Sequence, residues 1–342
     1  MKHAWVTLLL ALGACTCDRR TPVPASSQSP AGLHYYIVGK SGAQTLGKDP
    51  HKLLPGFGVV VAEQRMLGGE WVGRTSLGRD IPMKDLRPAV PSRFGGAHLD
   101  DRGLDFGWVV KEGAPIYAQP DILGKPVAHR SRYARLTVTW KPWEGFHTFP
   151  RFGSAGQSPA TPTRLASREG PQGYYRVADG WMSETDLRVP RMSPRPPYVG
   201  EADPWIDVEL ATQTLVAYLG DKPVFATLVA TGVGAEGSPL STPKGIHRIR
   251  AKLLAATMDN LDHTGVAPYS YEEVPFTQYI GRVALHGAFW HDQFGAPRSH
   301  GCINLSLADA EWLFGFTLPA VVEGETEAAA TEKRPGTMVR VR

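Results

Sequence analysis

Cysteine is scarce in this chain: 342 residues contain three, Cys15, Cys17 and Cys302. A disulfide scaffold is excluded, because Cys15 and Cys17 precede any folded-domain pattern and Cys302 stands alone far downstream. A Cys17–Cys302 bridge would span nearly the whole chain and is discounted. Charge of one sign is also short. With 37 Lys+Arg against 33 Asp+Glu the formal net charge is +4 and no dense basic run occurs, so no nucleic acid is expected as partner. No apolar stretch reaches the ~20 residues of a bilayer-spanning helix. Long helical periodicity is missing too, and 37 Gly with 29 Pro favour turns and short strands. The composition that is present, 42% hydrophobic and 20% charged, is globular, and the length allows two or three domains.

At the N-terminus Lys2 and His3 precede an apolar run over residues 4–14, too short to span a bilayer and read as a secretory signal. The run ends Leu12-Gly13-Ala14-Cys15, which resembles the lipobox of bacterial lipoproteins. That resemblance implies cleavage before Cys15, lipidation of Cys15 and a membrane anchor of several acyl chains, since one chain alone holds weakly. Thr16, next in the chain, implies the outer membrane of a Gram-negative cell, with the protein facing the periplasm. An ordinary signal peptide with Cys15 near its cleavage site is the alternative.

Residues 15–32 are polar and proline-rich and read as a tether, and residues 193–203 read as a Pro-rich interdomain linker. Residues 151–173 read as a surface loop. Short alternating runs at 57–61, 70–74, 107–110, 134–140 and 174–177 read as strands. Trp71 leads on to Asp85-Leu86-Arg87-Pro88, and Tyr175 leads through Gly180-Trp181 to Asp186-Leu187-Arg188-Val189-Pro190. This echo suggests two related β-modules, 33–100 and 101–192. The second resembles bacterial SH3-like modules, which implies small β-barrels that bind cell-wall peptides or pack beside a catalytic domain. Trp71, Trp108, Trp140 and Trp181 are expected in barrel cores rather than on a ligand platform. After the linker, residues 205–210 and 215–218 read as a hairpin around Thr212-Gln213-Thr214, with further strands at 224–230, 246–249 and 337–341. One stretch, 306–314, is helical, with Ser306 as N-cap and Gly315 as stop. The expected fold class is mainly β, with one or two short helices.

The chemistry concentrates in one segment. Leu285-His286-Gly287 is followed by Ser299-His300-Gly301-Cys302-Ile303-Asn304-Leu305. A thiol attacks well only as thiolate, so a nucleophilic cysteine needs an imidazole to take its proton, and His286 is the candidate base for Cys302. A buried structural cysteine is the commoner fate of a lone thiol in general. Gly301 would allow a tight turn with the amides of Gly301 and Cys302 aimed at a developing oxyanion. His247, His263, His286, His291 and His300 show no zinc-ligand spacing and no second cysteine joins them, so neither metal nor organic cofactor is expected.

From residue 204 to 342 the chain resembles the L,D-transpeptidase catalytic domain, the YkuD-type family. Ile206-Asp207-Val208, Gln213-Thr214-Leu215, Thr231-Gly232, Thr242-Pro243-Lys244-Gly245 and the two motifs around His286 and Cys302 occur in the family's order. The resemblance implies a β-sandwich-like fold and attack on peptidoglycan stem peptides. Cys302 falls on the family's nucleophile and His286 on its base. The carbonyl of Gly287 is the implied group that orients His286. His300 shapes the pocket, contacts substrate or is structural; Ser299 is read as a hydrogen-bonding brace at the substrate site. Asn304 stands where many relatives carry arginine, leaving carboxylate recognition to another group such as Arg298. Residues 255–276, with Met258, His263, Tyr269 and Tyr271, fall where the family has a substrate-covering lid, and a long surface loop is the alternative. Transfer to a stem-peptide amine, to water (an L,D-carboxypeptidase) or to an envelope protein shares one first half-reaction. A wall-binding structural lipoprotein with an inactive catalytic domain is the competing class.

Overall fold

The computed structural model describes residues 34–100, 103–120, 123–140, 173–261 and 268–342. Cys15, Cys17, the signal and tether, His263 and nearly all of the 151–173 loop lie outside them. Strand follows strand, with a single α-helix among the described residues. None of the described helices is long and apolar enough to cross a membrane.

Two sheets build the C-terminal domain. The first has six strands, with Pro204–Glu209 at its centre between Thr214–Leu219 and the parallel strand Met338–Val341. The expected hairpin pairs without a break from Pro204↔Leu219 to Glu209↔Thr214. Gln213 holds its turn at φ +53°. Its side chain donates to the Leu210 carbonyl (2.7 Å) and accepts from the Thr231 amide (2.9 Å), tying the hairpin to the next strand's end. The second sheet runs in the order Ile303–Leu305, Ala284–Gly287, Ser270–Tyr279, Gly58–Leu67, His34–Val38 and Leu86–Pro88. Ile206, Val208, Leu215, Ile303, Leu305, Leu313, Phe314 and Val339 form the core between the sheets and the helix. A mainly β, sandwich-type fold results.

The helix Leu307–Phe316 begins as expected, with Ser306 Oγ accepting from the Asp309 amide at 3.2 Å. It does not stop at Gly315. Buried Lys252 donates Nζ to the carbonyls of Phe314 and Thr317, the latter at 2.8 Å. Those are end carbonyls that a glycine cap would otherwise satisfy, so the helix runs through Gly315 to Phe316.

The second β-module closes its own core around Val109, Ile116, Val138, Tyr175, Met182 and Leu187. Trp71, Trp108 and Trp181 do not share the common barrel-core placement expected of them, and the side chain of Trp140 lies outside the described residues. Trp108 is 2% exposed, yet it packs with Phe94, Trp205 and Phe294, between module and C-terminal domain. Trp71 is 57% exposed, because its strand pairs it with Met66 near the tip of a protruding hairpin. Trp181 is half-buried under the Arg176 guanidinium. The proline-rich stretch after the module is laid against the domain. Ser193 donates its amide to the Tyr218 hydroxyl (3.1 Å), and Arg340 reaches the Pro194 carbonyl (3.0 Å) while pairing with buried Asp207 (2.6 Å).

Candidate active site

The strands Ala284–Gly287 and Ile303–Leu305 are parallel neighbours, in register Leu285↔Ile303 and His286↔Asn304. Parallel strands need a crossover, and residues 288–302 supply it here. Paired residues of neighbouring strands point to the same face, so His286 and Asn304 share one, and Cys302 stands on the bend that leads into Ile303. That face forms part of a cavity of about 280 Å³, with Cys302, His286 and Asn304 in its lining.

His286 is 2% exposed. Its Nδ1 lies 3.1 Å from the Gly287 carbonyl. A carbonyl can only accept, so the ring proton is on Nδ1 and Nε2 is left with a lone pair. Burial pushes the imidazole down to about 4, so it is neutral at pH 7 and able to take a proton. Burial pushes the Cys302 thiol up, partly opposed by the Ala284 amide and the Arg282 guanidinium. The resting pair is therefore thiol and imidazole, and the proton has to move as the sulfur attacks.

The turn before Cys302 departs from the expected oxyanion geometry. Gly301 sits at φ +124°, where a side chain would also meet the Ser241 carbonyl and Val283 at 3.2 Å, so glycine is required. Its amide, however, is donated to Ser299 Oγ at 3.1 Å and cannot serve an oxyanion in this state. The Ser299 hydroxyl donates to the Cys302 carbonyl, so its proton braces the turn rather than awaiting substrate. Thr242 adds a second brace, donating to the Gly301 carbonyl (2.7 Å) and accepting from Gly232 (2.8 Å).

Residues 255–276 are largely hairpin: Ala251–Asp259 pairs with Ser270–Tyr279 from Ala251↔Tyr279 to Asp259↔Ser270. A long surface loop is thus ruled out for the paired residues. Met258, Tyr269 and Tyr271 from this hairpin line the cavity. Tyr271 stacks on Trp290 at 3.8 Å between centroids, and His300 packs against Tyr269 at 4.7 Å. Arg298 is exposed at the cavity's edge. Trp290, Thr242 in its bracing role, Arg282 and His291 went unassigned in the sequence, and adjacency to the His286-Gly287 pair was the one signal for Trp290 and His291. The second β-module steadies the crossover: the Tyr133 hydroxyl donates to the Asp292 carbonyl (3.0 Å) and accepts from the Phe294 amide (3.1 Å), while Arg188 reaches the Gly295 carbonyl (3.0 Å).

Fold and site together define a β-sandwich domain in which one thiol and one neutral imidazole share a peptide-sized cavity. Residues 203–341 match the family model of YkuD, the L,D-transpeptidase catalytic domain. None of the curated proteins compared with the chain matches it. Among solved structures, the chain is similar to the catalytic domain of an E. faecium L,D-transpeptidase at 25% identity, covering 41% of this chain and 98% of that one, with TM-score 0.30. A crystal structure of an Enterococcus faecium L,D-transpeptidase mutant matches at 23% identity over 47% of this chain and 55% of that one, TM-score 0.31. An L,D-transpeptidase from Mycobacterium tuberculosis H37Rv matches at 18% identity over 51% and 68%, TM-score 0.30. The chain thus spans little more than half of the Enterococcus crystal structure.

Proposed function

We propose that this chain is a cysteine-dependent L,D-transpeptidase of the cell envelope, acting on peptidoglycan stem peptides without metal or organic cofactor. One observation carries the reading: His286, on the strand Ala284–Gly287, and Cys302, immediately before the parallel neighbour Ile303–Leu305, line one cavity. His286 Nε2 takes the thiol proton as Cys302 Sγ attacks the carbonyl between the third stem residue and a terminal D-alanine. The tetrahedral oxyanion is met by the backbone amide of Cys302. His286 then gives its proton to the departing D-alanine amine, and a thioester remains on Cys302. An amine of a neighbouring stem attacks the thioester, releasing the thiol. Water in its place would give an L,D-carboxypeptidase, and a protein amine would tether an envelope protein. Lipidated Cys15 would hold the enzyme at the outer membrane, with the 33–100 and 101–192 modules, read as SH3-like, beside the 204–342 domain.

A carbapenem is expected to leave a covalent adduct on Cys302, read by intact-protein and peptide mass spectrometry and missing from Cys302→Ala. Muropeptide analysis of a Cys302→Ala strain should show which linkage disappears. No adduct, with unchanged wall composition, would leave only a wall-binding role.

A further inference from the structure

His291 stands behind the cavity wall, 7% exposed. A neutral imidazole has one N–H to give. The Gln293 amide donates to Nδ1 of His291 at 3.1 Å, so the ring proton belongs on Nε2, and Nε2 can only donate. The Asn304 side-chain amide lies 3.0 Å from that nitrogen, placed with Nδ2 toward the ring and Oδ1 buried without a partner. Two donors cannot share one contact. The branches of an amide have the same shape and are told apart by their hydrogen bonds, so the branch at His291 is the carbonyl oxygen and the unpartnered branch is the NH2. Asn304, 3% exposed, lines the cavity with Cys302 and His286. Burial pushes His291 down to about 4, which keeps its ring neutral at working pH.

We propose that His291 is a positioning residue whose Nε2–H fixes the Asn304 amide, leaving the NH2 as the unpaired branch in the cavity wall, to donate to a carbonyl or carboxylate oxygen of the bound peptide. The inference rests on the reading of this cavity as a peptide acyl-transfer site. It assigns a specificity: a ligand lacking an oxygen at that point leaves a buried donor unpaired and binds about ten- to a hundredfold more weakly. Asn304 then does with a neutral, pre-oriented donor what a charged side chain would do by attraction.

Histidine 15N chemical shifts of the full chain read the tautomer without any substrate. Protonated Nε2 and bare Nδ1 at His291 are expected, and the reverse overturns the proposal even if the catalytic reading stands. An inactive wild-type protein with the expected tautomer would count against the catalytic reading alone. Asn304→Asp keeps size and the oxygen at His291 but puts a second oxygen on the cavity side. Its KM for a stem-peptide donor should rise at least tenfold while the His291 tautomer persists; an unchanged KM overturns the proposal. His291→Leu should raise KM more than it lowers kcat, and His291→Gln, whose NH2 can take over the donation, should recover most of the loss. Equal damage in both variants would reduce His291 to a structural residue and overturn the assignment.

Discussion

At the scale of single residues, the decisive quantity is the charge state of two neighbouring groups. Cys302 pushed up and His286 pushed down, both mainly by burial, leave a neutral pair at rest. A thiolate–imidazolium ion pair would be reactive toward any electrophile, whereas this pair reacts when a bound carbonyl draws the proton across. The pH dependence follows. The base form of His286 is present above about pH 4, so the acid limb of kcat/KM should fall near pH 4 rather than near the ordinary imidazole value of about 6.5. Imidazole NMR titration of His286 checks this directly, and a midpoint near 6.5 would contradict it. His286→Ala should lower kcat/KM by about 10²- to 10⁴-fold. The chemical identity of both groups was legible from the sequence, because a thiol and an imidazole in one short segment suggest a single job. Their charge states were not, because burial depends on how other elements pack over them, such as the hairpin that carries Tyr271.

Among the elements, the single helix shows how a distant strand resets a local rule. Gly315 is a reasonable stop by local propensity, yet Lys252 on the strand Ala251–Asp259 satisfies the last carbonyls instead. Burial lowers that ammonium to about 7. Between about pH 7 and the unfolded-state value near 10.4 the unfolded chain binds the extra proton, so this group's contribution to stability rises with pH across that window. Relative to Lys252→Met, the wild-type protein should gain up to about 1.4 kcal/mol per pH unit from pH 7 to pH 10, measured by urea unfolding. A gap that stays constant would mean the lysine is not buried as described. The strands at 58–67, 70–75, 135–140, 174–177, 204–209 and 214–219 were legible, since alternation marks a strand wherever one face is buried, whereas 34–38, 114–117, 251–259 and 270–279 were not read as strands. The pairing that makes residues 251–279 a cavity wall was not legible, since its register depends on partners beyond the hairpin itself.

Across the whole molecule, the first β-module and the C-terminal domain share one sheet, bridged where Gly58 meets Tyr271 in parallel. A Cβ at Gly58 would lie 2.7 Å from the Tyr271 ring and 2.8 Å from Phe289. Glu272 continues the seam, buried, accepting from the Val60 amide at 3.3 Å and facing Arg79 at 3.7 Å. Tyr271 stacks on Trp290 inside the cavity, so the seam is also a support for the site. Gly58→Ala should therefore cost about 1–3 kcal/mol of stability by overpacking and also lower kcat/KM, although it lies far from Cys302 in sequence. Thermal unfolding and Trp290 fluorescence would register the displacement. Full activity with an unmoved stack would show the module to be a passive neighbour.

The amino-acid order alone determined the mainly β character, the hairpin at residues 204–219, the helix start at Ser306 and the pairing of one thiol with one imidazole. Each of these is written in periodicity or in neighbouring residues, which short-range sterics and hydrogen bonding enforce. Tertiary structure alone decided that the thiol and imidazole rest neutral, that Trp108 packs between module and domain and that a module outside the YkuD match abuts the cavity wall. Those outcomes depend on which groups lose water together, and that is set by segments separated by up to two hundred residues and more.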